Sequence, residues 1–184
     1  MFLKAKLKFN MVLLENNKIK LRALESTDLE FLFHIENNES FWEVSNTLTP
    51  FSKDILKQYL ANAHQDIYEA KQLRLVITDT TNNENIGLID LFDFNPQHQR
   101  AGIGILILEK YQHKGYAGDA LKLCVHYAFK KLNLHQLYAN IISENNISIA
   151  LFEKMGFQLT GHKKDWLLSN GKYKDVKLYQ LINA

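Results

Sequence analysis

The chain has 184 residues, a length that fits a single domain with a sizeable core. Its formal net charge of +2 excludes the electrostatic footprint of a nucleic-acid-binding protein, and one cysteine with dispersed histidines forms neither an internal disulfide nor a metal-ligand set. No apolar run approaches the roughly 18 residues that cross a bilayer, so we expect no membrane partner and a reducing, cytoplasmic compartment.

Residues 1–11 are predicted to form an N-terminal extension, and residues 12–184 a single domain. Apolar and lysine residues are interleaved in this extension, so it lacks the continuous apolar segment of a signal peptide. We expect it to be disordered, and a translation start at either Met1 or Met11 stays open.

The first part of the chain predicts one strand and two helices. Residues 19–22 alternate between apolar and charged side chains, which is typical of a half-buried strand. Thr27-Asp28 caps a helix that extends to about Glu36, and Phe51-Ser52 leads into a second helix. Its apolar residues recur at helical spacing: Ile55, Leu56, Tyr59, Leu60 and Ala63.

The middle of the chain predicts three strands and a long helix. The strands cover residues 74–78, 86–92 and 102–108, and the turn at 82–85 joins the first two as a hairpin. The helix carries a wide apolar stripe that consists of Ala117, Ala120, Leu121, Cys124, Val125, Ala128, Phe129 and Leu132.

The last part predicts a strand at 136–142, a helix at 148–155 that Gly156 ends, and a hairpin with the turn Asn170-Gly171. Strands and helices alternate in the middle of the chain, and hairpins lie on either side. The sequence therefore predicts an α/β fold in which a mixed central sheet of about seven strands is flanked by about four helices.

A short polar loop with Gly115 and Gly118 connects the strand at 102–108 to the long helix. Free N–H groups and the positive end of the helix dipole make such a junction an anion-binding site, and glycine lets a phosphate approach closely. The loop lacks the hydroxyl residue that follows the lysine in a Walker A loop. A dinucleotide fingerprint is excluded as well, because Gly102-Ile-Gly104 leads to Ile107 inside a strand, where the third glycine would stand. The loop therefore predicts a phosphate site of another kind.

Two segments resemble motifs of the GNAT family of N-acetyltransferases. Residues 112–117 read Gln-x-x-Gly-x-Ala, which resembles the family's pyrophosphate loop. Residues 145–157 begin with Asn-x-x-Ser and end with Met-Gly-Phe, which resembles the next motif at the expected distance. The order of elements is also similar, and the branch of ribosomal-protein and spermidine N-acetyltransferases is the most similar part of the family.

The resemblance implies a GNAT fold with acetyl-CoA as the co-substrate and assigns residues to it. The pantetheine arm is expected to bind the backbone of Ile105, Leu106 and Ile107, where one N–H also polarises the thioester carbonyl. The pyrophosphate loop comprises Gln112, His113, Lys114, Gly115, Tyr116, Ala117 and Gly118. Asn145 corresponds to a side chain that contacts pantetheine, and it also fits the N-cap of a helix.

Phe152 departs from the family pattern, although it is counted among the acetyl-CoA contacts. A tyrosine commonly occupies this position and protonates the departing thiolate, which phenylalanine cannot do. Because a thiol has a pKa near 8.5, an acid is helpful rather than indispensable. Alternative proton donors are water and the hydroxyl groups of Tyr111, Tyr116 and Ser148. A rival hypothesis from a different functional class is an acyl-CoA-binding sensor without catalytic activity.

The acceptor is expected to be a primary amine, which must lose a proton before it attacks. Three carboxylates are candidates for this step: Asp93 and Asp90 at the end of the third strand, and Glu43 in the loop after the first helix. Asp93 is the first choice because it matches an acidic substrate contact of spermidine transferases.

Cys124 lies on the apolar stripe, which favours direct transfer in a ternary complex over an acyl-enzyme. The acceptor is a small molecule or a protein. Residues 45–49 are neutral, which weakens a polyamine acceptor, whereas a ribosomal-protein N-terminus, an antibiotic and an amino sugar stay open. An exposed edge strand makes a homodimer an open alternative.

Overall fold

The computed structural model describes residues 14–183, so the prediction for residues 1–11 lies outside the described part. Seven strands form one sheet in the order β1-β2-β3-β4-β5-β7-β6. Their bounds are β1 Ile19–Ala23, β2 Leu73–Asp79, β3 Asn85–Asn95, β4 Arg100–Ile107, β5 Gln136–Ile142, β6 Gln158–Ser169 and β7 Lys172–Ile182. The predicted mixed sheet is confirmed.

Six α-helices lie within residues 14–183. They are α1 Leu29–Glu36, α2 Glu39–Ser45, α3 Lys53–Ala61, α4 Ile67–Ala70, α5 Tyr116–Lys130 and α6 Asn146–Lys154. The sequence predicts α1, α3, α5 and α6 but neither α2 nor α4, which the side chains of Asn38 and Asp66 cap. Glu43 therefore lies in α2, and its expected place in a loop is wrong. None of the described helices has the length and apolar character to cross a membrane.

Helices cover both faces of the sheet, because successive side chains of a strand point to opposite faces. On one face, Leu121 of α5 and Phe152 of α6 belong to a large buried cluster that also contains β1 residues. On the other face, Leu32 of α1 and Leu56 of α3 pack in a second cluster with Val76 of β2. The two layers hold the central strands rigidly in place.

The strands β4 and β5 run parallel and pair over only three residues. The pairs are Arg100↔Gln136, Ala101↔Leu137 and Gly102↔Tyr138. From there β5 continues along β7, with which it pairs over its whole length. An opening therefore lies between residues 103–107 of β4 and 139–142 of β5. We call it the strand cleft, and its closed end lies at Gly102.

Gly102 is required at the closed end by close packing. A Cβ atom at this position would lie 2.2 Å from the ring of Phe92, a separation that real side chains do not adopt. The Phe92 ring in turn meets Tyr138 edge to face, with ring centroids 6.0 Å apart. This aromatic pair therefore lies over the point where the two strands part.

Candidate active site

The strand cleft exposes backbone groups of β4 that have no strand partner. The N–H of Leu108 donates to the carbonyl oxygen of Ile86 in β3 at 3.0 Å. Because neighbouring residues of a strand present their N–H groups to opposite edges, the N–H groups of Ile107 and Ile105 face the cleft. An extended ligand placed there can pair with β4 as an additional strand does.

The loop after β4 presents a row of six N–H groups. The N–H groups of residues 113–118 have no backbone acceptor within the described part of the chain. The first N–H groups of a helix always lack an intrahelical partner, and the positive φ angles of His113 (59°) and Gly115 (83°) extend the row before α5. Such a curled backbone at a helix N-terminus can bind an anion, and the contact of this loop with a pyrophosphate stays a prediction.

Gln112 ties this loop to the end of β4. Its side-chain amide donates to the carbonyl oxygen of Ile107 at 3.0 Å. The bond fixes the distance between the edge of the cleft and the loop of residues 112–118, which we call the phosphate loop after its predicted ligand. Gln112 therefore connects the loop to β4, and its contact with acetyl-CoA stays a prediction.

The phenols of Tyr111 and Tyr116 are bound outside the cleft. The Tyr116 hydroxyl donates to Asp79 at 2.5 Å, and the Tyr111 hydroxyl donates to Glu84 in the turn between β2 and β3. The hydrogen bond from Tyr116 lowers the pKa of Asp79 and raises the pKa of the phenol itself. Both phenol protons are thus engaged by carboxylates of β2 and of the turn after it.

Two polar side chains, Ser143 and Asn145, lie just after the end of β5. Asn145 is the N-cap of α6 and accepts from the N–H of Ser148 at 3.0 Å, so the expected cap is present. The hydroxyl of Ser143 is buried without a hydrogen-bond partner among the described residues. Because an unpaired buried hydroxyl is costly, a polar ligand group beside it is stabilising.

Phe152 is a core residue. Its side chain is 4 % exposed and meets Phe157 edge to face, with ring centroids 5.0 Å apart. A hydroxyl in its place would have to be accommodated in an apolar cluster. Its contact with acetyl-CoA stays a prediction.

Asp93 lies beside the closed end of the cleft. It is exposed, has a φ of 48°, and interrupts the pairing of β3 with β4 between Phe92 and Asn95. The Tyr138 hydroxyl donates to its carboxylate at 3.1 Å. Burial and the neighbouring charge of Asp93 raise the pKa of Tyr138 to about 12, so the phenol keeps its proton and donates.

Sequence reasoning does not find Tyr138. The residue lies in the middle of a strand, where an aromatic side chain is ordinary, and its partner is 45 positions away. Its pairing opposite Gly102 gives it a place at the closed end of the cleft. No local sequence pattern indicates that Tyr138 binds Asp93 at the closed end of the cleft.

Asp90 and Glu43 have partners elsewhere. Asp90 accepts from Arg74 at 2.7 Å, and the same guanidinium reaches Glu36 at 2.6 Å. Glu43 is bound to Lys174 of β7, and this hydrogen bond lowers the pKa of Glu43. The three candidate carboxylates thus have three different partners, and only Asp93 has no cationic partner among the described residues.

A small cavity lies where α2 approaches the end of β5. It has a volume of about 180 Å³. Its lining residues are Glu43, Val44, Ile142, Glu144, Asn145 and Lys174. The cavity therefore adjoins the Asn145 cap at the wide end of the strand cleft.

Cys124 is a buried core thiol. It is 1 % exposed, and burial raises the pKa of its thiol to about 12. A thiol that stays protonated and buried does not carry an acyl group. Residues 14–183 also contain no group of three or more side chains that could hold a metal ion.

An open edge between two parting parallel strands, a row of free amides and a helix N-terminus fit an extended ligand that ends in an anionic group. Residues 18–158 match the family described as Acetyltransferase (GNAT) domain. The chain therefore belongs to the GNAT acetyltransferase family and is an N-acetyltransferase that uses acetyl-CoA.

Relatives agree over nearly the whole chain. The spermidine N(1)-acetyltransferase of Vibrio cholerae is 33% identical over 172 residues, which are 92% of this chain and 95% of that protein. The crystal structure of the spermidine N-acetyltransferase from Vibrio cholerae in complex with CoA and spermine has a TM-score of 0.82 at 33% identity, covering 91% of this chain and 96% of that one. A dodecameric structure of the enzyme from the same organism has a TM-score of 0.77 at 34% identity, with coverages of 91% and 95%.

Proposed function

We propose that this N-acetyltransferase acetylates a primary amine of a small cationic molecule, with polyamines as the first acceptors to test. The carboxylate of Asp93, exposed beside the closed end of the cleft, is the observation that carries the proposal. The similarity to spermidine N-acetyltransferases supports the same acceptor class.

Asp93 is proposed to hold the protonated amine and to pass its proton to water. An alkylammonium group has a pKa near 10.4, so it is charged at neutral pH and needs a base before it reacts. Tyr138 keeps the carboxylate in place through its hydrogen bond. The amine then stands on the side of the sheet where Phe92 and Tyr138 lie.

Acetyl-CoA supplies the activated acetyl group, which the free amine attacks directly. The N–H of Ile105 faces the cleft and is proposed to donate to the oxygen on which negative charge develops. Because Phe152 carries no proton to donate, water is the proposed proton source for the thiolate. The buried thiol of Cys124 supports direct transfer without an acyl-enzyme.

Recognition is proposed to involve one ammonium group rather than several. Residues 45–52 carry no carboxylate, and Glu43 and Glu144, which line the cavity at the wide end of the cleft, both lie near Lys174. The second and third ammonium groups of a polyamine therefore find no dedicated partner. A simple alkylamine is expected to have a Michaelis constant similar to that of spermidine.

A homo-oligomer in the cytoplasm is the proposed state of the enzyme. The dodecameric relative supports self-association. The edge strand β6 carries Trp166 and Leu168, whose side chains are largely exposed. Apolar side chains on an open strand edge are typical of contacts between copies.

The test compares Asp93→Asn with wild type on spermidine, butylamine and an aromatic amine that is neutral at the assay pH. Asp93→Asn is expected to raise the Michaelis constant of both alkylamines about tenfold, because one charge-assisted contact is lost, and to change the aromatic amine little. Asp54→Asn removes an exposed carboxylate of α3 and serves as the control.

CoA binding is measured in parallel by calorimetry and should be equal in all three proteins. An equal loss on charged and neutral amines would show structural damage in place of charge recognition. Unchanged kinetics for every amine would place the acceptor site elsewhere, with Glu43 as the next residue to change.

A further inference from the structure

Lys18, the residue before β1, contacts the phosphate loop at Lys114, which lies 96 positions later in the sequence. Its ammonium group donates to the backbone carbonyl oxygen of Lys114 at 2.5 Å. It also lies 3.6 Å from the Asp119 carboxylate and 4.7 Å from the centre of the Tyr116 ring. The backbone of Lys18 is itself fixed, since its carbonyl oxygen accepts from the N–H of Thr80 at 3.1 Å.

This contact sets the direction of one peptide group. The carbonyl of Lys114 and the N–H of Gly115 belong to the same planar trans peptide, so they point in opposite directions. When Lys18 holds the oxygen on one side, the Gly115 N–H is turned to the other side. There it joins the row of free N–H groups from residue 113 to residue 118.

The neighbouring glycine makes this orientation easy to lose. Gly115 has a φ of 83°, and glycine adopts several backbone conformations at similar free energy. If the peptide reversed, the Lys114 oxygen would point at the anion and the Gly115 N–H would point away. A hydrogen-bond donor to phosphate would then be replaced by a repelling oxygen.

We propose that Lys18 is a positioning residue for the CoA pyrophosphate, which acts by fixing the Lys114–Gly115 peptide. The inference rests on the proposed use of acetyl-CoA and adds a residue outside both family motifs. Lys18 side-chain atoms are 39% exposed, and the ammonium group is engaged with the loop. The residue thus contributes through the loop and needs no direct contact with phosphate.

The test measures CoA affinity by calorimetry for Lys18→Met, with Lys20→Met as the matched control. Lys20 is an exposed lysine of β1, two positions after Lys18, and its side chain forms no hydrogen bond or ion pair among the described residues. Lys18→Met is expected to weaken CoA about tenfold, the typical effect of one charge-assisted hydrogen bond. Lys20→Met should bind as wild type does.

The peptide itself is followed by ¹⁵N NMR of the Gly115 amide. On addition of CoA, this resonance should shift in wild type and stay nearly unmoved in Lys18→Met, whereas the Ile105 amide should shift in both. A large Gly115 shift in Lys18→Met would show that Lys18 acts through its charge alone, which overturns the proposal. Wild-type affinity of Lys18→Met would overturn it as well.

The double variant Lys18→Met/Asp119→Asn separates a remaining explanation. Lys18→Met leaves the Asp119 carboxylate without its cation near the phosphate site. If the double variant regains wild-type affinity, the loss came from that carboxylate and the proposal fails. Failure of wild type to bind CoA would refute the use of acetyl-CoA before Lys18 is considered.

Discussion

The phosphate loop can be tested by adding a negative charge at Gly115. Gly115→Glu places a carboxylate in the row of N–H groups, beside the expected pyrophosphate. Gly171→Glu is the matched control, because Gly171 also has a positive φ, 73°, and lies in the open turn between β6 and β7. Both variants have the same backbone cost and gain the same charge, but only Gly115→Glu places that charge in the phosphate loop.

The expected loss of stability is similar for both variants. A side chain in the left-handed region costs about 1–2 kcal/mol relative to glycine. At Gly115 a Cβ atom would meet the ammonium group of Lys18 at 3.3 Å, the end of a flexible chain, and at Gly171 it would meet nothing within 4 Å. The melting temperature should therefore fall by a few degrees in each, at roughly 2–4 °C per kcal/mol.

The expected loss of CoA affinity is confined to Gly115→Glu. Two like charges about 5 Å apart repel by roughly 3 kcal/mol at an effective dielectric constant of 20, and by about 0.8 kcal/mol in water. The affinity should therefore fall between about fourfold and 200-fold. Calorimetry measures it directly, and thermal unfolding with saturating CoA gives a second readout. A folded Gly115→Glu variant with wild-type affinity would refute the assignment of this loop.

Three further predictions concern the core and the ion pairs. Phe152→Tyr should keep CoA affinity and raise turnover by less than about tenfold, because the ring at this position is packed in the core. A large fall in steady-state turnover would contradict this. Arg74→Met leaves two part-buried carboxylates unpaired and should cost about 3 kcal/mol of unfolding free energy in urea titrations. Burial acts to raise the pKa of Asp28, but the Arg22 contacts outweigh it and hold the pKa low. Its stabilisation is thus present above about pH 4 and lost in more acidic solution, so Asp28→Asn and wild type should have converging urea midpoints at low pH.

The sequence predicts correctly those elements whose signal lies within one short segment of the chain. Asn170 and Gly171 both have positive φ angles, as the predicted two-residue hairpin turn requires, and the hairpin is present. The long apolar stripe gives α5, and its junction with β4 gives the phosphate loop. The sequence does not predict helix α2, because seven residues show too little apolar periodicity. Its ends are set by the N-cap Asn38 and by Asn46, whose backbone lies in the left-handed region.

The acceptor side of the site depends on contacts between distant residues. Asp93 and Tyr138 are 45 positions apart, and Lys18 and Lys114 are 96 apart. Sequence reasoning can select Asp93 by its resemblance to an acidic contact, but it cannot show which carboxylates are already paired. That information exists only after the sheet has brought Arg74 to Asp90 and α2 to Lys174.

Because β4 and β5 pair over only three residues, a ligand in the strand cleft can take up the backbone hydrogen bonds that β5 leaves free on β4. Among the described residues, only three pairs join β1-β2-β3-β4 to β5-β7-β6 along that edge, so the cleft edge of β4 is expected to open locally in the ligand-free protein while the shared apolar cluster keeps both halves folded. Amides of Ile105 and Ile107 should exchange with solvent rapidly without CoA and slowly with it. Because proteases act on opened forms, the lifetime of this enzyme in a cell is expected to rise and fall with the supply of its acetyl donor.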